Sequence, residues 1–531
     1  MNAATSHDVI IIGAGHNGLT TAAYLARAGL RVLVLERRGI IGGCAVTEEL
    51  WPGFHVSRAS YVAGLLRPLV VKELCLAEHG LRLLPRNPSS FTPQADNRGL
   101  VLSPDRVATC NEIRYFSEKD ARRYPDYENF LERIAQTVEP LLDVPPLNVD
   151  RPRLSELGAL LKLFRRVWRL GTDLPKGVAM MTGAAAPMIN AWFESEPLRS
   201  TLATDAIIGA WAAPSTPGTG YVLLHHVMGE TNGIRGTWAY ARGGMGSVSA
   251  AIATAAQGHG AEIRCSASVA KIRTAAGRAT GVVLEDGTEF SARTVVSSAD
   301  PQTTLLDLLG DELLPDDVRE QTENLDYRSP VMKINVALDK LPEFKSRPGA
   351  HKELQGTIHI GATSMSALEE SFINAQAGQF PQRPMIEMTI PSTIDDSITP
   401  PGKHLVSLFV QHVPMPNEMG DAYWSKEREN FADHVFALVD EVAPCFSSYV
   451  LHREILAPPD LERIFGITGG NIFHGAMTPD RLWFMRPTPA ASGYRMPLPG
   501  LYLCGAGTHP GGGVMGACGR NAAKIILQDL G

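Results

Sequence analysis

The sequence predicts an α/β fold with two domains. One is assembled from separated stretches of chain, and the other is of α+β type on a mostly antiparallel sheet. Three observations predict this. A complete β-α-β pattern fills residues 9–36, a strand–glycine loop–helix pattern fills residues 500–530, and a block of short strands at 262–299 lies between them. The length of 531 residues suits two large domains.

The first pattern opens with Val9-Ile10-Ile11-Ile12, a run that reads as a buried strand. Gly13-Ala14-Gly15-His16-Asn17-Gly18 follows it directly. Leu19, Ala22, Ala23, Leu25 and Ala26 then recur at helical spacing up to Gly29, and Arg31 to Leu35 reads as a second parallel strand closing on Glu36. G-x-G-x-x-G in this place is a dinucleotide loop. Gly13 permits the tight turn, Gly15 lets a pyrophosphate approach, and Gly18 lets the helix pack on the strand. The helix start presents N–H groups and a positive dipole end to the phosphates. Glu36 is placed to accept hydrogen bonds from a ribose, and its charge disfavours a 2′-phosphate. Gly42 and Gly43 follow soon after. A second glycine pair there lets more backbone close over the pyrophosphate, which favours a permanently held cofactor, FAD.

In the closing pattern, residues 500–505 read as a strand, 506–513 as a glycine-rich loop, and 514–530 as a helix. The expected helix start at Val514-Met515-Gly516 offers N–H groups to the N1–C2=O locus of a reduced flavin. In the middle block, residues 240–256 suggest a glycine turn and a small-residue helix. Strands follow at 262–265, 268–273, 280–284 and 295–299, with Asp286-Gly287 as a hairpin signal. The reading is therefore a discontinuous Rossmann-like FAD-binding domain of residues 1–75, 235–310 and 480–531. A substrate domain would take 76–234 and 311–479.

Composition excludes other classes. With 49 Lys+Arg against 56 Asp+Glu and a net charge of -7, no basic field exists for nucleic acid. Apolar residues make up 44%, too many for a disordered chain. The seven cysteines form no C-x-x-C pair, so neither a disulfide framework nor a zinc knuckle is signalled. His225-His226 has no third ligand at suitable spacing, and no metal is expected. The first eight residues are short and polar, and no stretch reads as a spanning helix. The expected location is the cytoplasm or an organelle (mitochondrial) matrix, peripheral membrane contact included, and not the secreted space.

Acid–base candidates are few. His474, in a Phe-His-Gly turn, could relay a proton beside the flavin; the plainer reading is a histidine bonded to backbone. Lys333 is a lone charge in an apolar strand. It could polarise a water near the flavin, or simply face solvent. His509 lies in the flavin loop, where it would position the ring. Residues 178–193 and 206–228 read equally as an apolar tunnel or as ordinary core. In residues 154–170, Leu154, Leu157, Leu160, Leu161, Phe164, Val167 and Trp168 recur at helical spacing, with Lys162, Arg165, Arg166 and Arg169 clustered on another face. That pattern is either a membrane-surface helix or a helix packed on its own domain.

The motifs Val-Ile-Ile-Ile-Gly-Ala-Gly-His-Asn-Gly-Leu (9–19), Arg-Gly-Gly-Met-Gly (242–246) and Leu-Tyr-Leu-Cys-Gly-Ala-Gly-Thr-His-Pro (501–510) resemble FAD-dependent oxidoreductases of the phytoene desaturase type. Residues 470–477, 492–495 and 513–516 narrow the likeness to a branch named for a pyridine nucleotide-disulfide oxidoreductase domain. The resemblance implies FAD and a largely apolar small-molecule substrate. It matches Gly13, Gly15, Gly18, Glu36, Gly42 and Gly43 to the adenosine-diphosphate site and Val269 to the adenine. Gly505, Val514 and Met515 match the phosphate and isoalloxazine end. Many relatives carry Arg where this chain has Cys44. Without a redox cysteine pair, disulfide exchange is not expected. The leading expectation is dehydrogenation of a hydrophobic substrate by hydride transfer to flavin N5, with the electron acceptor open. The alternatives are a reduced-flavin-dependent isomerase or saturase of a polyene, and a low-turnover flavoprotein with a regulatory protein partner at a respiratory membrane.

Overall fold

The computed structural model describes residues 7–146, 154–349, 351–415 and 421–531; the first six residues of the polar N-terminal segment lie outside it. Two seven-stranded sheets organise the chain. In chain order their strands are β1 (His7–Ile12), β2 (Val32–Leu35), β3 (Ser90–Pro93), β4 (Gly99–Leu102), β5 (Glu262–Arg264), β6 (Val269–Ala275) and β7 (Arg278–Leu284). They continue with β8 (Glu289–Ser297), β9 (Val331–Leu338), β10 (Thr357–Gly361), β11 (Met385–Thr389), β12 (His404–Gln411), β13 (Val450–Leu456) and β14 (Leu501–Leu503). The helices that matter below are α1 (His16–Arg27), α2 (Glu118–Val138), α3 (Leu154–Trp168), α4 (Glu196–Thr204), α5 (Thr219–Val227), α6 (Gly246–Gly258) and α7 (Ala517–Leu530).

The first sheet runs β5-β2-β1-β8-β7-β6, with β14 also paired to β8. Its β5-β2-β1-β8-β14 part is parallel, and β6, β7 and β8 form an antiparallel meander. The inner strands read as apolar runs because parallel sheets are covered on both faces. All four residues of β2 are buried, and α1 buries ten residues, Gly18, Ala22 and Ala23 among them. Small side chains let α1 lie close to α6 and α7, which flank it.

Three boundaries differ from the expected ones. β8 begins at Glu289 rather than Val295, because its first half pairs with β7 across the Asp286-Gly287 turn. The small-residue helix after the glycine turn runs from Gly246 to Gly258, and residues 239–241, at the expected start of that turn, form a strand paired with Leu83–Pro85. α7 starts at Ala517, not Val514, because Val514 and Gly516 hold φ of 55° and 71°, a left-handed conformation that cannot continue a helix. Val514 and Met515 therefore belong to the loop before α7.

The second sheet runs β13-β9-β12-β11-β10-β3-β4 and is antiparallel except between β10 and β3. Its registers align Lys333 with Phe409, Phe409 with Glu387, and Glu387 with His359. Directly paired residues point to one face, so these four form one row. Lys333 does not face solvent: it is 2% exposed. Its Nζ donates to Asn335 Oδ1 (2.6 Å) and Ser407 Oγ (2.5 Å) and lies 5.1 Å from the Tyr61 ring centroid. Burial lowers its amine to about 7.

An unfolded lysine stays protonated to about pH 10, whereas the folded chain gives up this proton above about pH 7. Between those values the unfolded state binds more protons, so this residue makes stability rise with pH. Melting temperatures measured from pH 7 to 10 should show that rise, and Lys333→Met should flatten it. Parallel profiles for the two proteins would contradict the burial argument.

Candidate cofactor and substrate sites

The glycine loop is shaped by Ser298, the residue after β8. Its hydroxyl lies 3.0 Å from the Ile12 carbonyl and 3.1 Å from the Gly13 carbonyl, donating across β1. Gly13 turns at φ 89°, and a Cβ there would come within 2.5 Å of Ser298 Oγ. A Cβ on Gly18 would meet the Gly13 carbonyl at 2.2 Å, and one on Gly505 the Ser298 carbonyl at 2.4 Å. Gly15 is different. A Cβ there meets nothing within 4 Å, its backbone is ordinary, and it caps α1 without a side-chain bond. The first N–H groups of α1 are thus left for a ligand.

Gly15 fronts a cavity of about 320 Å³ lined also by Gly13, His16, Asn17, Glu36, Gly43, Val269 and His474. The structure brings these predicted residues together. Gly42 sits at the edge of this group, donating its N–H to the Ala14 carbonyl at 2.9 Å. Glu36 is fixed by two backbone donors: Ala14 N–H reaches Oε2 at 2.8 Å and Arg38 N–H reaches Oε1 at 2.9 Å. Each oxygen keeps a further lone pair. Asn17 Oδ1 and His474 Nδ1 are buried without a partner. Burial lowers His16 to about 4, helped by repulsion from His474, and burial lowers His474 as well. Burial pushes the Cys44 thiol up to about 12, which disfavours a reactive thiolate.

The C-terminal loop is held by a residue that sequence reasoning missed. Buried Arg486 donates to the carbonyls of Phe473 (2.6 Å), Gly475 (3.2 Å), Ala476 (3.0 Å), Arg481 (3.4 Å) and Ala506 (2.9 Å). This ties the His474 turn to the loop after β14. Its only signal in sequence was an arginine among prolines and small residues. His509 points away from the cavity: its Nε2 bonds the Leu141 carbonyl at 2.8 Å. Met515 is buried, and its carbonyl accepts the Arg67 N–H at 3.0 Å.

A larger cavity, about 700 Å³, lies over the second sheet. Leu102, Leu131, Leu202, Ile208 and Val227 line it together with Tyr61, Arg86, Asp205, His226, His359 and Glu387. Tyr61 donates to Glu387 Oε2 at 2.7 Å, and His359 Nε2 lies 3.5 Å from Glu387 Oε1. Burial drives the Glu387 carboxyl upward, but the hydrogen bond and charge of His359 outweigh it and leave the group lowered. Asp205 is raised by burial, with His226 opposing. The stretches 178–193 and 206–228 divide between core and cavity walls, with residues 209–222 lining a small pocket beside Phe473 and Met477. Ala185, Ile189, Leu223 and Leu224 pack in a core, while Ile208, His226 and Val227 reach this cavity. Sequence reasoning missed the polar row, although Lys333, His359 and Glu387 each stand mid-strand between apolar neighbours.

Two sets of contacts connect the cofactor loops with the second sheet and with α5. On α5, His225 Nε2 bonds the Gly512 carbonyl at 3.0 Å while the next residue, His226, lines the larger cavity. An ionic chain also runs from Glu36 to Lys333. Arg38, bonded to Glu36, pairs with Glu48 at 2.7 Å; Glu48 pairs with Arg58 at 3.0 Å, and Arg58 with Glu454 at 2.6 Å. Asn335 then links Glu454 (3.0 Å) to Lys333.

Known proteins agree with this architecture. The profile of the flavin-containing amine oxidoreductase family matches residues 18–527. The chain belongs to this family. Within the flavin-containing amine oxidoreductases it falls in the phytoene desaturase-like group. The "pyridine nucleotide-disulfide oxidoreductase domain-containing protein 2" of Rattus norvegicus is 47% identical over 544 residues, covering 99% of this chain and 94% of the relative. The lycopene-forming phytoene desaturase of Pseudescherichia vulneris is 26% identical over 536 residues, with 98% and 99% coverage. Among solved structures, a putrescine oxidase bound to putrescine shares the fold with a TM-score of 0.61 at 14% identity, covering 99% of each chain. The chain is an FAD-dependent oxidoreductase. Its smaller cavity fits the cofactor: open space before Gly15, a bare helix start, the Glu36 oxygens and the unpartnered Asn17 Oδ1 suit an adenosine diphosphate.

Two glycine variants separate fold from cofactor. Gly15→Ala should leave the melting temperature of flavin-free protein within about 2 °C, because burying one methyl in open space changes little. It should weaken FAD retention at least tenfold, about 1.4 kcal/mol. Gly18→Ala should instead destabilise the chain itself, by roughly 1–3 kcal/mol from overpacking. Absorbance at 450 nm against 280 nm, read beside thermal melts, distinguishes the two, and equal effects would contradict the assignment.

Proposed function

We propose that this FAD-dependent oxidoreductase dehydrogenates a small molecule with a substantial apolar body, bound in the larger cavity. FAD, when bound, supplies a two-electron acceptor whose N5 takes a hydride. The observation that carries the reading is the position of α5, which touches the C-terminal loop through His225 and lines the larger cavity through His226. The volume of about 700 Å³ is that of a small-molecule site.

The chain's own residues then divide the work. Gly13, Gly15, Gly18, Glu36, Gly42, Gly43 and Val269 hold the nucleotide half. Gly505, Val514 and Met515 supply loop backbone toward the flavin half, and His509 fixes that loop against Leu141. His474 belongs with the cofactor rather than the substrate, since it faces His16 and the glycine loop. Lys333 is the better proton carrier. It sits behind Tyr61 with its amine poised near neutrality, where a base exchanges protons most effectively. Anaerobic mixing of the yellow protein with amphiphilic candidate substrates should bleach the oxidised flavin. Turnover that requires prior reduction of the flavin would overturn dehydrogenation in favour of isomerisation or saturation.

Substrate delivery falls to α3. Leu161, Phe164 and Trp168 are 58%, 62% and 71% exposed, and Phe164 stacks on Trp168 at 5.8 Å. Arg165, Arg166 and Arg169 border that strip and are exposed, while Leu163 and Val167 are half-buried. The side chains of Leu154, Leu157, Leu160 and Lys162 lie outside the described residues. α3 packs on α2, whose Leu131 lines the cavity. Among the described residues no helix is long and apolar enough to cross a membrane. An exposed apolar strip beside arginines suits an anionic lipid surface instead. The protein should co-sediment with vesicles containing phosphatidylserine. A Phe164→Ser, Trp168→Ser double variant should lose at least tenfold of that binding; unchanged sedimentation would sink the assignment.

A further inference from the structure

Arg86 is an uncommon residue to find inside a cavity wall. It is 5% exposed, follows β-paired Pro85, and lines the larger cavity. Its Nη1 donates to Thr357 Oγ1 at 2.7 Å, and its guanidinium carbon lies 5.6 Å from the Tyr240 ring centroid. Nε has no partner. Among the described residues no carboxylate lies within 4.0 Å of it, although every other buried arginine has its charge or its donors met. Arg67 pairs with Glu139 and Asp143, Arg520 pairs with Glu73, and Arg486 is wrapped by carbonyls. A buried guanidinium with donors left over is costly unless something pairs with it.

The surroundings say what would pair. Five acids line the cavity wall and none of them pairs with Arg86: Glu387 takes the Tyr61 hydroxyl, Glu128 pairs with Arg106, Glu132 accepts from Gln136, and Asp205 and Glu230 form no ion pair with it. Thr357 fixes one Nη in place, leaving the planar fork oriented. A planar fork matches a carboxylate with two parallel bonds. Within a wall that is otherwise mixed in polarity, Leu102, Leu131, Leu202, Ile208 and Val227 offer surface to an apolar body. We propose that the substrate is an amphiphilic carboxylic acid whose carboxylate docks on Arg86. This rests on reading the larger cavity as the substrate's and adds the chemical class of its polar end.

Calorimetric titration of the FAD-loaded protein tests this with three probes: octanoate, octanamide and octyl phosphate. Octanoate should bind saturably and at least tenfold more tightly than octanamide. Arg86→Gln should weaken octanoate at least tenfold and leave octanamide unchanged. Arg86→Lys keeps the charge but not the fork, and should fall between wild type and Arg86→Gln. It also decides the matter if the glutamine variant fails to fold. Octanoate and octanamide binding equally, or no octanoate binding, would overturn the inference. So would octyl phosphate binding more tightly than octanoate, which would make the site a phosphate site. A protein that is yellow yet indifferent to octanoate defeats only this inference; a colourless protein that rejects added FAD defeats the cofactor reading beneath it.

Discussion

Ser298 is where three distant stretches of chain meet. It follows β8, which pairs in parallel with β1 on one side and β14 on the other. Its hydroxyl bridges the carbonyls that end β1, and its own carbonyl crowds Gly505 after β14. The close approach leaves no room for a Cβ at Gly13, Gly18 or Gly505, and the cofactor loop takes its shape from that exclusion. Gly15, facing outward from the same cluster, is spared the crowding. The distinction separates glycines that close packing requires from one that it does not, within a single motif.

Charge ties the second sheet to the first alongside the apolar core that Met515 and Ala517 share with Val331, Met385 and Phe409. Arg38, Glu48, Arg58 and Glu454 carry the connection from the nucleotide acid to the buried lysine, with side chains 16–20% exposed. Ion pairs so shielded are screened little by salt, and removing one member leaves its neighbours buried and unpaired. Lys333 at the far end has its amine lowered to about 7 by burial, which disfavours the charged form.

The nucleotide half of the site was legible in sequence because its chemistry depends on local spacing. Glycine periodicity, an apolar run and one acid are enough, and β1, α1 and β2 follow within a few residues of their expected bounds. The start of α7 was misplaced because nothing in Val514-Met515-Gly516 announces a left-handed backbone at a valine. The larger cavity was hidden for a different reason. His359, Glu387 and Lys333 are brought into one row by sheet register, and register is set by non-local pairing. Arg86 and Arg486 were equally silent, since a buried cation shows itself only through what surrounds it.

The parallel pairing of β8 with β14 has a consequence for biosynthesis. β8 is complete once residue 297 has been made, but its partner arrives about two hundred residues later, so the growing chain carries an unpaired strand edge in the meantime. Until β14 docks, Gly505 and the loop beyond it are not in place. The nascent protein can therefore fold most of its first sheet without a finished flavin cradle. The aggregation hazard of that open edge and the capture of the prosthetic group are resolved by one event, the docking of a three-residue strand.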